Sequence, residues 1–288
     1  MKPPPFDYLR ASTLDEVWDA LADDDAKVIA GGQSLVPLLS LRFAAPSLLI
    51  DITHLPELGG LALDGGTLRI GALTRHSEIE KSELVRTECP LLARAASWVA
   101  HPQIRNRGTI GGSVAHSDSA AEFPAALLAL GATLVARSRA GERRIDAEDF
   151  FRSYFTTTLE PGEILAAIEV PVRRPGSTWG FAEFARRRGD YAIGGAAVHA
   201  ERAEDGTCRV VRAGLIAAGP APGLAPGLAA ALVGRVVDEA MIRTAVDVVL
   251  EQLTPGENVH GTAEYRREVI GEMLRRALAA AFEQGETA

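Results

Sequence analysis

The order of the predicted secondary-structure elements differs between the two halves of the chain, and this order limits the possible folds more than any other feature. In the first half, short apolar strand patterns alternate with amphipathic helix patterns, starting with a helix capped by Thr13. In the second half, three strand patterns precede two long helix patterns. The proline-rich segment 171–175 separates the two regions, so we expect a domain boundary there.

The length of the chain also favours two domains. Its 288 residues reach the size of about 250 to 300 residues at which single cores stop growing. The predicted strands cover 27–30, 48–52, 67–72, 133–137, 164–170, 179–185, 196–201 and 209–217. The predicted helices cover 14–21, 35–42, 77–85, 90–99, 122–130, 238–253 and 264–282. A hairpin turn at 204–206 indicates an antiparallel sheet in the second half.

Composition excludes several classes of function. The 30 lysines and arginines and 38 aspartates and glutamates give a net charge of -8, which disfavours nucleic-acid binding because that binding needs cationic groups. Cys89 and Cys208 are too few for a disulfide framework or an iron–sulfur cluster held by this chain alone. The histidine spacings match no metal motif, so no metal site is predicted. We expect a reducing cytoplasm, no signal peptide and no membrane-spanning helix.

Two glycine pairs are the first candidates for a binding site. Gly31-Gly32 ends a predicted strand, and Gly111-Gly112 lies in the segment 101–118, which has little periodicity and is predicted as a functional loop. A hydroxyl follows each pair, at Ser34 and Ser113. Such segments let backbone amides approach a diphosphate, and the alternative is that each pair only makes a tight turn. The chain contains no Gly-x-Gly triplet, so a dinucleotide would not bind in the Rossmann manner.

Four other side chains are candidates with open alternatives. His116 either contacts a ligand or bonds only to backbone. Asp118 and Glu122 follow the second glycine pair and can accept from ribose hydroxyls, although Glu122 can also simply complement the start of a helix. Tyr191 follows the basic turn 186–188 and either stacks on a flat heterocycle or packs in the core.

Four segments together resemble a known family. Residues 30–34, 102–113, 160–165 and 189–192 are similar to the FAD-binding medium subunit of molybdenum hydroxylases, the carbon monoxide dehydrogenase and xanthine dehydrogenase family. The similarity runs from Phe6 to about Leu278. The resemblance implies an α+β fold, with a PCMH-type FAD-binding domain that is followed by an antiparallel sheet with helices. The implied domains are 1–175, with subdomains of about 1–56 and 57–175, and 176–288.

The resemblance also implies a set of FAD-contacting residues and no catalytic residue. The diphosphate would be held by two segments, an aromatic ring would cover the isoalloxazine, and acidic and apolar side chains would complete the site. Gln33 stands where some relatives have histidine, and Ser113 where some have asparagine or aspartate. Together with His116, the implied residues are Ala30, Gly31, Gly32, Gln33, Ser34, Leu35, Val99, Thr109, Gly112, Ser113, Asp118, Glu122, Ile164, Leu165 and Tyr191.

The implied activity is electron transfer within a larger enzyme. Non-covalently bound FAD would receive electrons from [2Fe-2S] clusters of a small partner subunit and pass them to an external acceptor. A large partner subunit would hold the molybdenum cofactor, and two heterotrimers would form a dimer in the cytoplasm, or at the inner face of the membrane through partners. One alternative is a self-contained FAD-dependent oxidase or dehydrogenase. Another is a non-enzymatic interaction subunit whose glycine pairs are only turns.

Overall fold

A small parallel sheet begins the chain. The computed structural model describes residues 2–283; residues 1 and 284–288, at the ends of the predicted domains, lie outside the described residues. The elements of the first unit are β1 (Asp7–Arg10), α1 (Leu14–Ala20), β2 (Ala26–Ile29), α2 (Leu35–Leu41) and β3 (Leu48–Asp51). The strands pair in the order β1-β3-β2, and both pairings are parallel. The carboxyl ends of all three strands therefore meet at one edge, where ligands commonly bind in α/β sheets.

A five-stranded antiparallel sheet with helices forms the second unit. A 3₁₀ turn at Pro56–Leu58 leads into it. Its elements are β4 (Leu61–Asp64), β5 (Thr67–Gly71), α3 (His76–Lys81), α4 (Glu83–Glu88), α5 (Pro90–Trp98), α6 (Pro102–Arg105), α7 (Ile110–His116), α8 (Glu122–Leu130), β6 (Thr133–Ser138), β7 (Gly141–Asp146), α9 (Ala147–Phe150), β8 (Phe151–Ser153), β9 (Thr156–Thr157) and β10 (Ile164–Pro171). The sheet order is β4-β5-β10-β6-β7, and β8 and β9 form a separate ribbon.

The segment 101–118 is not the loop that its sequence predicts. It contains α6 and α7, joined by a short turn. The side chain of Thr109 caps α7 by accepting a hydrogen bond from the N–H of Gly112 at 3.2 Å. The N–H of Gly111 donates to the carbonyl of Ala72 at 2.9 Å. These tertiary contacts stabilise the helices. A glycine-rich sequence without apolar periodicity does not predict them.

The third unit is an antiparallel sheet covered by helices, as the sequence predicts. Its elements are β11 (Ser177–Phe184), β12 (Gly194–Arg202), β13 (Cys208–Ile216), β14 (Gly223–Leu224), α10 (Leu228–Leu232), α11 (Glu239–Glu251) and α12 (Ala263–Glu283). The strands pair in their chain order. Gly223 starts the short edge strand β14, because it pairs with Leu215 of β13.

The second and third units share one apolar core. Phe181 of β11 and Ile216 of β13 belong to the same buried cluster as the helices of the second unit. The rings of Trp98 and Phe181 lie 5.8 Å apart. At Gly214, an added Cβ would lie 2.0 Å from the carbonyl oxygen of Ala125, so α8 lies directly on β13. Within residues 2–283, no helix combines the length and the apolar character that a membrane span requires.

Candidate cofactor site

The first glycine pair contacts the second glycine-containing segment directly. Gly31 is buried, and a Cβ added there would lie 2.3 Å from the carbonyl oxygen of Arg107 and 2.8 Å from the Cα of Gly108. No side chain fits between these backbones without moving them. The convergence that the sequence predicts for the two segments is therefore present, although the contact is made by Gly108 rather than by the pair at 111–112.

The turn after β2 has the features of an anion-binding loop. Gly32 adopts a left-handed conformation with φ of +72°. The side-chain amide of Gln33 donates to the carbonyl of Gly31 at 3.0 Å, which holds the turn. No hydrogen bond from the backbone N–H groups of residues 31–34 to an acceptor within residues 2–283 is present. Consecutive free amides in such a turn bind phosphate oxygens, so the loop fits a diphosphate.

The start of α7 contributes less to such a site than the sequence suggests. The N–H groups of Ile110 and Gly111 donate to the carbonyls of Thr74 and Ala72 at 3.0 and 2.9 Å. An added Cβ at Gly111 would lie 2.4 Å from the Cβ of Ala72, so this glycine is required for packing and not for ligand approach. Gly112 is exposed and Ser113 is half-buried. These two positions remain accessible to a ligand.

A cleft of about 650 Å³ opens at the carboxyl edge of the parallel sheet. Its lining includes residues 30–33 from the predicted site. It also includes residues that the sequence analysis did not select: Tyr8, Ile29, Val36, Pro37, Asp51, Thr53, Arg75, Asn106 and Arg107. The position of Asp51 and Thr53 at the end of β3 is a signal that could have identified them, since this edge of a parallel sheet commonly binds ligands.

Asp51 is held as an anion at this edge. Burial would raise the pKa of its carboxyl, but hydrogen bonds outweigh that effect and lower the pKa. The hydroxyl of Thr53 donates to it at 2.6 Å, and the backbone N–H of Thr53 donates at 2.8 Å. The Tyr8 hydroxyl donates to the second carboxylate oxygen. The lining of the cleft therefore includes both a fixed negative group and the turn with free backbone amides.

A second group of predicted residues meets beside the loop between β11 and β12. Tyr191 is 72% exposed, so its core-packing alternative is wrong. Desolvation of its hydroxyl and the nearby carboxylates of Asp118 and Glu122 raise the pKa of Tyr191. The ring of His116 stacks on Phe155 with centroids 4.8 Å apart. The exposed Tyr191 ring thus lies near the carboxylates of Asp118 and Glu122, and its aromatic face is available for stacking.

The predicted apolar residues are buried. Val99, Ile164 and Leu165 are 8%, 4% and 5% exposed. Ile164 belongs to the core of the parallel-sheet unit, whereas Leu165 belongs to the core of the five-stranded unit. Burial raises the pKa of the Cys89 thiol to about 12, so this thiol is not a nucleophile at neutral pH.

His76 packs directly against Gly108 and was not selected from the sequence. An added Cβ at Gly108 would lie 2.7 Å from His76 Cε1, and the imidazole lies 4.9 Å from the Phe123 ring. Neither ring nitrogen has a hydrogen-bond partner within residues 2–283. The backbone of Thr109 approaches the ring without hydrogen-bonding geometry, and burial lowers the pKa of His76 to about 4. The neutral imidazole thus fixes the position of Gly108.

We expect replacement of His76 by glutamine to reduce the acid sensitivity of the fold. The folded-state pKa of about 4 lies below the ordinary value of 6.5. In the interval between these two values, the imidazole is protonated in the unfolded chain and neutral in the folded chain. The wild type therefore loses up to about 3 kcal/mol of stability from this group as the pH falls through that interval. Urea denaturation at several pH values measures the difference. His260→Gln, at an exposed position, is the control, and an identical pH slope in His76→Gln and wild type would contradict the assignment.

Two family models match consecutive parts of the chain. The model described as the FAD binding domain in molybdopterin dehydrogenase matches residues 4–173. The model described as the CO dehydrogenase flavoprotein C-terminal domain matches residues 179–281. The first match alone covers more than half of the chain. The two matches agree with the α+β architecture and with the order of the two parts that the sequence resemblance implies.

Individual relatives match over nearly the full length. The 6-hydroxypseudooxynicotine dehydrogenase complex subunit alpha of Paenarthrobacter nicotinovorans is 44% identical over 98% of this chain and 96% of its own. A chain of carbon monoxide dehydrogenase from Hydrogenophaga pseudoflava superimposes with a TM-score of 0.96 at 38% identity, covering 99% of both chains. A chain of quinoline 2-oxidoreductase from Pseudomonas putida 86 gives a TM-score of 0.92 at 38% identity, covering 99% of both. The protein therefore belongs to the family of FAD-binding medium subunits of molybdenum hydroxylases.

Proposed function

We propose that this chain is the FAD-bearing electron-transfer subunit of a heterotrimeric molybdenum hydroxylase. The observation that carries the proposal is the contact between Gly31 and the Arg107–Gly108 backbone, which presents free amides at the carboxyl edge of the parallel sheet. Bound FAD supplies chemistry that links one-electron and two-electron transfer. Electrons arrive from [2Fe-2S] clusters of a partner subunit and leave to an external acceptor.

Three groups of residues have separate roles in the proposed FAD site. Residues 30–35 hold the diphosphate through backbone amides, assisted by Thr109, Gly112 and Ser113. Tyr191 covers the isoalloxazine with its exposed ring, and the polar groups of His116, Asp118 and Glu122 lie on the same side. The buried side chains of Val99, Ile164 and Leu165 form the apolar support behind the cofactor.

The remaining components of the enzyme belong to partner chains in this proposal. A large subunit holds the molybdenum cofactor and oxidises the substrate, a small subunit holds the iron–sulfur clusters, and two heterotrimers form a dimer in the cytoplasm. The names of relatives as subunits or medium chains support this division. The proposal also includes domains at 1–175 and 176–288 and subdomains of about 1–56 and 57–175.

The visible spectrum of the purified chain tests the cofactor. We expect the chain to bind FAD without a covalent bond, so that denaturation releases the whole flavin and buffer exchange retains it. Reduction is then measured with and without the partner subunits. Bleaching of the flavin by the enzyme's organic substrate only when all partners are present supports electron relay. Bleaching of the isolated chain by an organic substrate would identify a self-contained dehydrogenase, and a colourless chain that takes up no FAD would identify an interaction subunit.

A further inference from the structure

Glu183 is a buried carboxyl group on the face of β11 that meets the second unit. Phe181, two residues earlier on the same face of the strand, packs against Trp98 of α5. Glu183 is 9% exposed, and its Oε2 atom is shielded from solvent with no hydrogen-bond partner within residues 2–283. A carboxylate without a partner is strongly disfavoured in such a place, whereas a neutral carboxylic acid is tolerated.

The charges around Glu183 favour the neutral form further. Glu122 at the start of α8 is its acidic neighbour, and Glu122 in turn faces Asp118 and the hydroxyl of Tyr191. Arg105 is the cation that acts on Glu122. Like charges at short range cannot all remain ionised when few cations neutralise them.

Arg105 is already engaged by other groups. Its Nε donates to the Glu80 carboxylate at 2.8 Å, and its Nη1 donates to the carbonyls of Val99 and Ala100 at 3.0 and 3.1 Å. These partners compensate much of the Arg105 charge, so its stabilising effect on an ionised Glu122 is small. Burial and then the charge of Glu122 raise the pKa of Glu183. Burial and the charge of Asp118 raise the pKa of Glu122, and the opposing effect of Arg105 is smaller.

We propose that Glu183 remains protonated at neutral pH and forms, with Glu122, an acid pair that limits the negative charge beside the cofactor site. The protonation of Glu183 follows from its burial and its acidic neighbour Glu122, and its link to FAD rests on the proposed function. FAD carries a negative diphosphate, so a second negative charge in the pair opposes its binding. Glu183 is thus a positioning residue, which acts on the cofactor through Glu122.

Proton linkage in the full-length chain tests the protonation. Because the folded-state pKa of Glu183 lies above its unfolded value, stability is greatest below the unfolded value and falls as the pH rises toward the folded one. Between about pH 7.5 and 8.5, Glu183 is expected to account for about one proton that the folded wild type holds and the unfolded chain does not. Glu183→Gln is expected to remove this slope, whereas Glu204→Gln, in the exposed turn between β12 and β13, is expected to keep it. Equal slopes in the wild type and Glu183→Gln would overturn the proposal.

Infrared spectroscopy keeps the proposal testable if Glu183→Gln does not fold. The wild type is expected to show the carbonyl band of a protonated carboxylic acid at neutral pH, and the band should disappear when the pH is raised. Its absence at neutral pH would contradict a protonated Glu183. In a folded Glu183→Gln chain this band should be weaker, because only the partly protonated Glu122 then contributes to it.

The affinity for FAD distinguishes a failure of the acid-pair proposal from a failure of the proposed function. FAD is expected to bind the wild type several-fold more weakly at about pH 9.5 than at about pH 7.5, because Glu183 ionises in that interval, and Glu183→Gln is expected to reduce this difference. An unchanged pH dependence in the variant would remove the link to the cofactor. A wild type that shows the proton linkage and binds no FAD would refute the proposed function and leave the acid pair intact.

Discussion

Replacement of Gly31 by valine is expected to lower the affinity for FAD by about 100-fold, equal to about 3 kcal/mol. The added Cβ would lie 2.3 Å from the carbonyl oxygen of Arg107 and 2.8 Å from the Cα of Gly108. Both obstacles are backbone atoms, so no rotamer change relieves the clash. The turn at 31–34 must therefore move away from 107–108, and its amides lose the arrangement that a diphosphate requires.

Fluorescence titration of the purified apo chain with FAD measures this effect. Gly223→Val is the matched control, because an added Cβ there has no atom within 4 Å and its φ is not in the left-handed region. The control is expected to bind FAD like the wild type. Near-wild-type affinity in a folded Gly31→Val chain would refute the diphosphate loop. Circular dichroism establishes that each variant is folded.

Replacement of Gly214 by valine is expected to destabilise the protein by about 3 kcal/mol, at the upper end of the range for overpacked cores. A Cβ at this position would lie 2.0 Å from the carbonyl oxygen and 2.7 Å from the Cα of Ala125. The contact joins β13 to α8, which is buried along most of its length. The clash therefore separates two packed backbones rather than displacing a flexible side chain.

Urea denaturation monitored by far-ultraviolet circular dichroism measures this loss, with Gly223→Val in the adjacent strand as the control. The control should unfold at nearly the wild-type urea concentration. Because α8 begins at Glu122, the Gly214 variant is also expected to bind FAD more weakly. A Gly214→Val chain as stable as the control would show that α8 and β13 are not packed in this way.

The elements with strong periodicity were predicted from the sequence. The strands β11 to β13 and the helices α11 and α12 lie close to the predicted ranges, because each buries one regular face. The strands β4 and β7 were not predicted. Both are edge strands with mostly exposed residues, so their sequences carry little apolar signal. Short edge strands depend on pairing with a neighbour that the local sequence does not reveal.

The candidate site was predicted in part. The loop at 31–34 was identified because a glycine pair directly follows a strand, and Tyr191 was identified as a candidate for stacking. His76 and Asp51 were not identified, since an isolated histidine or aspartate has no local pattern. Gly111 was predicted to let the backbone approach a ligand, but it is required for packing against Ala72. That contact joins segments that are far apart in the chain, so the local sequence does not reveal it.

The sequence by itself determined the strands and helices that bury a regular apolar face and the positions where glycine permits a close approach, because those properties depend on neighbouring residues. It also carried the family resemblance, which the matches over residues 4–173 and 179–281 confirm. Only the tertiary structure decided which glycine meets which backbone and that α6 and α7 form in place of a loop. It alone decided that Glu183 lies buried near Glu122. Burial and charge act through space, so they depend on the packing of segments that are distant in sequence.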